Sequence, residues 1–333
     1  MDAAVFRMDS YSASKEEQSR RIGNRLGALL RLQNTIARPV VVEGFGYWTG
    51  ENVRLEFCPA EPNTGIFFTR VDLPFQPTIP ALVSHREAKP RQTSLVEGEA
   101  RVDMVEHVLA ALRGLKIDNC EIRTDRPEMP GIDGSSMPFV LALEEAGLMQ
   151  LPAVRPIRII TRELRVGDEI AWIEAAPNAE GVHSIDYTLQ FDGPHPIGNQ
   201  HFRYVMQSDR FKRELMNCRT FLTKREADHL IAQGLCLRVR PHNLLVYDEN
   251  GPIDNHLHFE NECARHKVLD MIGDFALAPC DWVGRFTAHR SGHALNAACV
   301  AELEKCTLLV DETCLSDECE LMLQKRRLLK KCA

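Results

Sequence analysis

The residues best suited to chemistry lie in the stretch ARHKVLDMIGDF, residues 264–275. His266, Asp270 and Asp274 follow one another at four-residue steps, so on a helix they share one narrow stripe. Solvated stripes usually alternate lysine with glutamate, whereas a histidine and an aspartate one turn apart can converge on one metal ion. Such a pair also recurs by accident, so a solvated helix face and a metal site both remain open.

The stretch VEHVLAAL offers a second candidate, because Glu106 directly precedes His107. In one reading Asp103 caps a helix, Glu106 completes a capping box, and His107 is a core histidine. In the other reading His107 binds a metal and Glu106 is a general base beside it, as in several hydrolases. Capping explains the glutamate but does not explain the pair.

Two weaker candidates lie further along the chain. RSGHALN places His293 near the start of a predicted helix, and CRTFLTK offers the Thr220 hydroxyl as a donor to a developing oxyanion. A rival metal motif, NHLH, has His256 and His258 on one face of a predicted strand without a third nearby ligand. We therefore expect a surface or pairing role for those two histidines, and a structural role for His289.

Composition limits the class of protein. The chain has 333 residues, of which 44% are hydrophobic, enough for a sizeable core and about two domains. With 40 basic and 47 acidic residues the net charge is -7, which argues against nucleic acid as a partner. The 11 cysteines are scattered singly, as in reduced cytoplasmic proteins. No apolar leader or membrane-spanning run occurs, so we expect a soluble cytoplasmic protein.

Strand and helix patterns alternate in blocks along the chain. Strand-like runs such as NVRLEFCPA and TGIFFTRVDL precede the helical runs DMVEHVLAALRGL and FVLALEEAGL. After the linker-like LPAVRP, the strand-like runs RIITRELRV, EIAWIEAAP and SIDYTLQF again precede helical runs, including the stripe helix and GHALNAACVAELE. Strands grouped before helices, twice, predict an α+β fold.

We divide the chain into four parts on this pattern. Residues 1–33 form an N-terminal extension, 34–150 a first α+β domain, 156–310 a second α+β domain, and 311–333 a basic amphipathic tail. The tail, CELMLQKRRLLKKCA, predicts a solvated helix, with weak attraction to an anionic membrane face as the alternative.

Six motifs occur together and in this order: VEHVLAALRGLKIDN, PGIDGSSMPF, CRTF, GLCL, RHKVLDMIGDF and SGHALN. The set closely resembles the UDP-3-O-acyl-N-acetylglucosamine deacetylase family of lipid A biosynthesis, over about residues 38–305. The resemblance implies hydrolysis of the N-acetyl group of UDP-3-O-(3-hydroxyacyl)-N-acetylglucosamine, with release of acetate, as the committed step. It also implies two similar domains, each a layered α/β sandwich, packed face to face with the metal site at their interface.

The resemblance also implies roles at the reacting group. His107, His266 and Asp270 would hold one Zn²⁺ per chain, with Fe²⁺ as an alternative ion. Glu106 would remove a proton from the attacking water, and Thr220 would donate to the tetrahedral oxyanion.

Further residues are carried over from the same motifs. His293, as an imidazolium, would stabilise the oxyanion or protonate the leaving amine, and Asp274 would orient it. Lys267 would face the nucleotide phosphates. Phe191, in LQFDGP, would stack near the uridine, and Phe221 is carried over as a further substrate-binding residue.

The chain departs from the family pattern in three loops. Trp48 in GYWTG replaces the histidine of Gly-Leu-His-Thr-Gly, LTK (residues 222–224) follows CRTF, and RVR (residues 238–240) follows GLCL. An apolar segment, GDEIAWIEAAP, and its neighbours would form the insertion that encloses the acyl chain. The altered loops keep two alternatives open: a zinc amidohydrolase acting on a different acylated amino sugar, and a non-catalytic homologue that binds nucleotide-sugar lipids. Peripheral membrane contact is the most we expect beyond the substrate.

Overall fold

The structure is a computed structural model, and it describes residues 30–311. Most of the predicted N-terminal extension and of the basic tail lies outside the described residues. Within the described part of the chain, strands and helices are mixed in several sheets, which confirms the predicted α+β class. No helix of residues 30–311 combines the length and apolarity needed to cross a lipid bilayer.

The N-terminal part contains three sheets and two helices. Strands β1 (Leu32–Ile36) and β10 (Leu148–Val154) pair antiparallel. A five-stranded sheet is built from β2 (Val40–Phe45), β3 (Asn52–Pro59), β4 (Ile66–Arg70), β5 (Thr78–Pro80) and β9 (Cys120–Thr124), in the order β2-β3-β9-β4-β5. A small sheet contains β6 (Arg86–Glu87), β7 (Ser94–Glu97) and β8 (Ala100–Asp103), and the helices are α1 (Glu106–Gly114) and α2 (Met137–Ala146).

The C-terminal part is organised around strand β19 (Asp281–His289). Its seven-stranded sheet also contains β11 (Ile157–Ile159), β12 (Leu164–Gly167), β13 (Trp172–Ala176), β14 (His183–Leu189), β15 (Gln200–Val205) and β20 (Leu308–Val310). Strand β19 pairs parallel with β11 and β14 and antiparallel with β13. The helices are α3 (Ser208–Glu214), α4 (Lys224–Ala232), α5 (Glu262–Phe275) and α6 (His293–Cys306).

Residues 221–252 form a separate small layer, which we call the α4 unit. It consists of β16 (Phe221–Thr223), helix α4, β17 (Leu245–Asp248) and β18 (Gly251–Pro252). Helix α4 begins with a capping box, in which Thr223 and Glu226 bond each other's backbone N–H. The unit therefore has a well-defined start beside Thr220.

Helix α5 carries the His-Asp-Asp stripe and is buried on nearly every side. Its apolar side packs into a core that is continuous between the N-terminal and C-terminal parts. The stripe is buried as well, since His266, Asp270 and Asp274 are 3%, 2% and 0% exposed. The interpretation of this stripe as a solvated helix face is therefore wrong.

Helix α1 begins at Glu106, so the predicted cap at Asp103 is also wrong. Asp103 ends strand β8, where it pairs with Ser94 and binds the Lys89 Nζ at 3.2 Å. The next residue, Met104, has a left-handed backbone conformation with a φ of 60°. Strand pairing thus holds Asp103 extended. The Glu106 side chain does not form the predicted capping box and can bind another partner.

A mostly buried ion cluster joins the two parts of the chain. Arg31 donates to Asp118 at 2.6 Å and 2.7 Å and to Asp281 at 2.7 Å and 3.0 Å. Arg113 reaches Asp281 at 2.5 Å, and Arg155 lies within 3.3 Å of both aspartates. Because unpaired interior charges are costly, these five residues favour one relative placement of the two parts.

Candidate metal centre and active site

The site forms where helices α1 and α5 cross. A Cβ placed on Gly273 would overlap the carbonyl oxygen of Glu106, so only glycine allows the two backbones to approach this closely. The crossing places His107 of α1 beside His266 and Asp270 of α5. One close contact between helices therefore assembles side chains that are far apart in sequence.

His107, His266 and Asp270 form a compact group of potential ligands. The Asp270 Oδ1 lies 3.6 Å from the Nε2 of His107 and 3.3 Å from the Nε2 of His266. One ligand atom from each residue falls within 4.8 Å of the others, and all three residues are buried. The Asp270 Oδ1 finds no hydrogen-bond partner within residues 30–311. A buried, unpartnered carboxylate oxygen facing two imidazole nitrogens fits a transition metal such as zinc.

His266 and Asp270 are in protonation states that allow metal binding. The His266 Nδ1–H donates to the Cys218 carbonyl at 3.1 Å, which leaves the Nε2 lone pair toward Asp270. Burial lowers the pKa of His266 to about 4. Burial alone would raise the pKa of Asp270, but His266 and Lys267 hold it well below its usual value. Both side chains are therefore in the unprotonated form that metal binding requires.

Glu106 lies next to this group on α1. Its Oε2 accepts the Thr93 backbone N–H at 2.9 Å, and its Oε1 lies 3.8 Å from the Nε2 of His293. Burial raises the pKa of Glu106, although the charges of His293 and His107 oppose this effect. A fixed carboxylate with a raised pKa is suited to take a proton.

His293, the first residue of α6, is held by Asp274. The Asp274 Oδ2 accepts from the His293 Nδ1 at 2.9 Å and from the Asn296 amide at 2.8 Å. Its Oδ1 accepts from the Thr93 hydroxyl at 2.5 Å. Burial would lower the pKa of His293, but the carboxylates of Asp274 and Glu106 outweigh it and raise the pKa to about 9. The imidazole is therefore a cation at neutral pH.

Thr93 contacts both Glu106 and Asp274. It was not predicted from the sequence. Its backbone N–H binds Glu106 and its hydroxyl binds Asp274. Thr93 lies 181 residues from Asp274 and belongs to no recognisable motif, so no spacing indicated it. Asn296 lies inside the motif SGHALN, but its bond to Asp274 was likewise not anticipated.

Thr220 and Phe221 lie where the chain enters the α4 unit, directly before and at its first residue. The Thr220 hydroxyl is 3.1 Å from the Gly134 carbonyl oxygen and 3.3 Å from the Nε2 of His266. The Phe221 ring meets the His266 ring edge-on, with 6.0 Å between centroids. The hydroxyl can serve an oxyanion only after its hydrogen rotates away from the Gly134 carbonyl.

These side chains line a cavity of about 600 Å³. The lining contains every predicted site residue except Asp274, which is fully buried behind His293. Lys267, which donates to the Asp270 Oδ2 at 2.7 Å, and Arg290 supply positive charge. Phe191 stacks on His195 with 3.5 Å between ring centroids.

One part of the cavity is lined by apolar side chains of the α4 unit, and we call this part the apolar end. Leu222, Leu230 and Leu244 line it together with side chains of the N-terminal part. The segment GDEIAWIEAAP, which together with its neighbours was predicted to enclose an acyl chain, itself contributes Ala171 to the lining. Strand β13 within that segment pairs with β19, which directs Ile173 into the core instead.

The other predicted histidines are outside the cavity. The His258 Nδ1 donates to the Asn217 carbonyl at 2.9 Å, and its ring meets His256 edge-on. His289 stacks on Trp172 with 5.8 Å between ring centroids. The described part of the chain holds one candidate metal group, the His107, His266 and Asp270 set.

The crossing at Gly273 makes a first prediction. We expect Gly273→Ala to lower the free energy of unfolding by about 1–3 kcal/mol, because the new methyl must push α1 and α5 apart. Metal retention should weaken with it, since the ligands come from both helices. Gly292→Ala is the matched control, because nothing lies within 4 Å of a Cβ at that site. Thermal unfolding and metal content measure both effects, and wild-type values for Gly273→Ala would contradict the close-approach interpretation.

Comparison with known proteins agrees with the resemblance seen in the six motifs. Residues 33–305 match the family described as LpxC: UDP-3-O-acyl N-acetylglycosamine deacetylase. The chain is 39% identical over 274 residues to the UDP-3-O-acyl-N-acetylglucosamine deacetylase of Anaeromyxobacter sp. (strain Fw109-5), covering 81% of this chain and 88% of the relative. The deacetylase of Anaeromyxobacter dehalogenans (strain 2CP-C) is also 39% identical over 274 residues, covering 81% and 87%. The chain therefore belongs to the UDP-3-O-acyl N-acetylglycosamine deacetylase family.

Proposed function

We propose that the protein is a cytoplasmic zinc-dependent amidohydrolase of lipid A biosynthesis. It removes the N-acetyl group of UDP-3-O-(3-hydroxyacyl)-N-acetylglucosamine and releases acetate. The observation that carries this proposal is that one cavity is lined by a group of three potential ligands, a buried glutamate and a histidine held by Asp274. The names of the two Anaeromyxobacter relatives support the substrate.

The proposed ion is zinc, with Fe²⁺ as the alternative. His107, His266 and Asp270 would hold it, and the unpartnered Asp270 Oδ1 supports this assignment. Bound zinc acts as a Lewis acid that polarises an amide carbonyl and lowers the pKa of water to about 7. One ligand comes from α1 and two from α5, which supports a site between domains of residues 34–150 and 156–310.

Glu106 acts as the general base in this proposal. Water attacks the acetamide carbon while its proton passes to the Glu106 carboxylate, whose other oxygen is held by the Thr93 N–H. The Thr220 hydroxyl donates to the developing oxyanion. The C–N bond then breaks, and the leaving amine takes a proton from the His293 imidazolium or from Glu106. Asp274 positions His293 throughout.

The cavity suits both ends of the proposed substrate. Burial would lower the pKa of Lys267, but Asp270 and Tyr187 raise it overall, so the ammonium stays charged. Lys267 would face the diphosphate as a point charge. Phe191 would contact the uridine, and Phe221 with the apolar end would contact the acyl chain.

The pH profile is a second prediction. Activity requires Glu106 ionised and His293 protonated, so kcat/KM should rise as Glu106 loses its proton, at a pH above the usual range of glutamate. It should fall as His293 loses its proton near pH 9. Because the two groups interact, the two limbs belong to the coupled pair. Asp274→Asn should move the alkaline limb to lower pH, and a flat acid limb would argue against the general-base role.

The substrate is tested by comparing three compounds in an amine-release assay. We expect the highest kcat/KM for UDP-3-O-acyl-N-acetylglucosamine, a lower value without the acyl chain and a lower value without the nucleotide. A higher kcat/KM with another acylated amino sugar would favour the alternative amidohydrolase. Binding without amine release by metal-loaded protein would favour the non-catalytic homologue.

A further inference from the structure

The turn Gly46–Gly50 is a rigid part of the cavity wall. The buried Glu128 carboxylate accepts the backbone N–H of Trp48 at 2.7 Å and of Thr49 at 2.9 Å, and the Thr49 hydroxyl at 2.8 Å. A Cβ on Gly46 would overlap this carboxylate, so the glycine allows it to fit beneath the turn. The position of Trp48 is therefore fixed by its own backbone contacts.

Trp48 belongs to the cavity wall. It is half-buried and lines the same space as Leu222, Leu230 and Cys236 of the α4 unit. The preceding residue, Tyr47, is buried and donates its hydroxyl to the carbonyl of Asn243 in that unit. The 46–50 turn and the α4 unit therefore contact each other and both line the cavity.

Arg238 ties the α4 unit to the turn. Its Nη1 donates to the Gly50 carbonyl at 2.5 Å and to the Asn52 Oδ1 at 2.8 Å, and its guanidinium lies 4.3 Å from the Phe45 ring centroid. Gly50 has a φ of 72°, and a Cβ there would approach the Arg238 Cδ to 3.2 Å. The arginine stem therefore packs directly against the turn.

A second contact ties the start of helix α4 to the N-terminal part. The Arg91 guanidinium lies 3.2 Å from the Glu226 carboxylate, and Glu226 is fixed by its capping box with Thr223. This exposed pair adds little stability by itself. Together with Arg238 and the Tyr47–Asn243 hydrogen bond, it joins the α4 unit to the N-terminal part at several points, which limits how far the apolar end can widen.

We propose that Trp48 sets the length of acyl chain that the cavity accepts. This inference rests on the proposed function, because it assigns the acyl chain to the apolar end. Each methylene that enters this end should tighten binding by about fourfold, until the chain meets the indole. Further methylenes must then displace a side chain whose backbone is held by Glu128, or remain in water. Trp48 is in this way a residue that determines specificity.

The test uses a series of UDP-3-O-acyl-N-acetylglucosamines that differ by two methylenes. Calorimetric affinity and amine release are measured for wild type, Trp48→Ala and the control Leu237→Ala, whose side chain is 59% exposed and outside the cavity lining. We expect affinity to rise by about fifteenfold per step to an optimum and then to fall. Trp48→Ala should move the optimum at least one step longer, while Leu237→Ala leaves it in place. Trp48→His, which keeps a smaller ring, should give an intermediate shift if the alanine variant does not fold.

The two measurements separate this inference from the proposed function. An affinity optimum at the same length in wild type and in a folded Trp48 variant would overturn the role of Trp48. Affinity that does not depend on acyl length would also overturn it. A length optimum that moves in the Trp48 variants without amine release would support Trp48 as the determinant and contradict the proposed reaction.

Discussion

Replacing Glu106 with glutamine should lower kcat by about 10²- to 10⁴-fold while metal remains bound. Glutamine keeps the size of the side chain and can still accept the Thr93 N–H, but it cannot take a proton at neutral pH. Glu106 is not one of the three candidate ligands, so metal content should stay at the wild-type value. Single-turnover kinetics together with metal analysis measure the effect.

A matched variant distinguishes loss of the general base from a nonspecific effect of replacing a glutamate. Glu121→Gln makes the same change on strand β9, outside the cavity lining, where the carboxylate accepts from the Thr69 hydroxyl. We expect it to leave kcat unchanged. Near-normal kcat in Glu106→Gln would remove Glu106 as the base, and loss of metal from that variant would show that its role is structural.

Replacing Asp270 with alanine should weaken metal affinity by more than about 100-fold, the upper end of what loss of a supporting partner costs. The change removes the oxygen that lies between the two imidazoles and also leaves Lys267 without its 2.7 Å partner. Competition with a chelator of known affinity measures the loss. A fully loaded Asp270→Ala protein would contradict the ligand role.

Asp274→Asn is the control for the Asp270 variant. Asp274 belongs to the same stripe of helix α5, yet it contacts Thr93, His293 and Asn296 and is not one of the three candidate ligands. We expect the variant to keep its metal and to lose activity at alkaline pH. Equal metal loss in both variants would show that the stripe acts through folding alone.

Local patterns in the sequence predicted much of this site. The four-residue spacing placed His266, Asp270 and Asp274 on one stripe, and the apolar residues between them recur at the helical spacing of a buried side. Both patterns depend on helix geometry alone. The spacing could not show that the stripe faces helix α1, because that follows from the close approach at Gly273.

Contacts between distant segments explain what the sequence did not predict. Helix α1 was predicted to be capped by Asp103, but it begins at Glu106 because pairing between β7 and β8 holds Asp103 extended. Thr93 joins Glu106 to Asp274 through contacts that no local spacing encodes. The sequence also did not indicate that Leu222, Leu230 and Leu244 of the α4 unit line the cavity, because their places depend on how that unit packs.

The most direct test of the central claim is release of free amine from UDP-3-O-(3-hydroxyacyl)-N-acetylglucosamine by purified protein. The assay is run on protein as purified, after removal of metal by a chelator, and after zinc is returned. The proposed function predicts turnover that disappears with the chelator and returns in proportion to bound zinc. No amine release from a folded, zinc-loaded protein, or turnover that the chelator leaves intact, would contradict it.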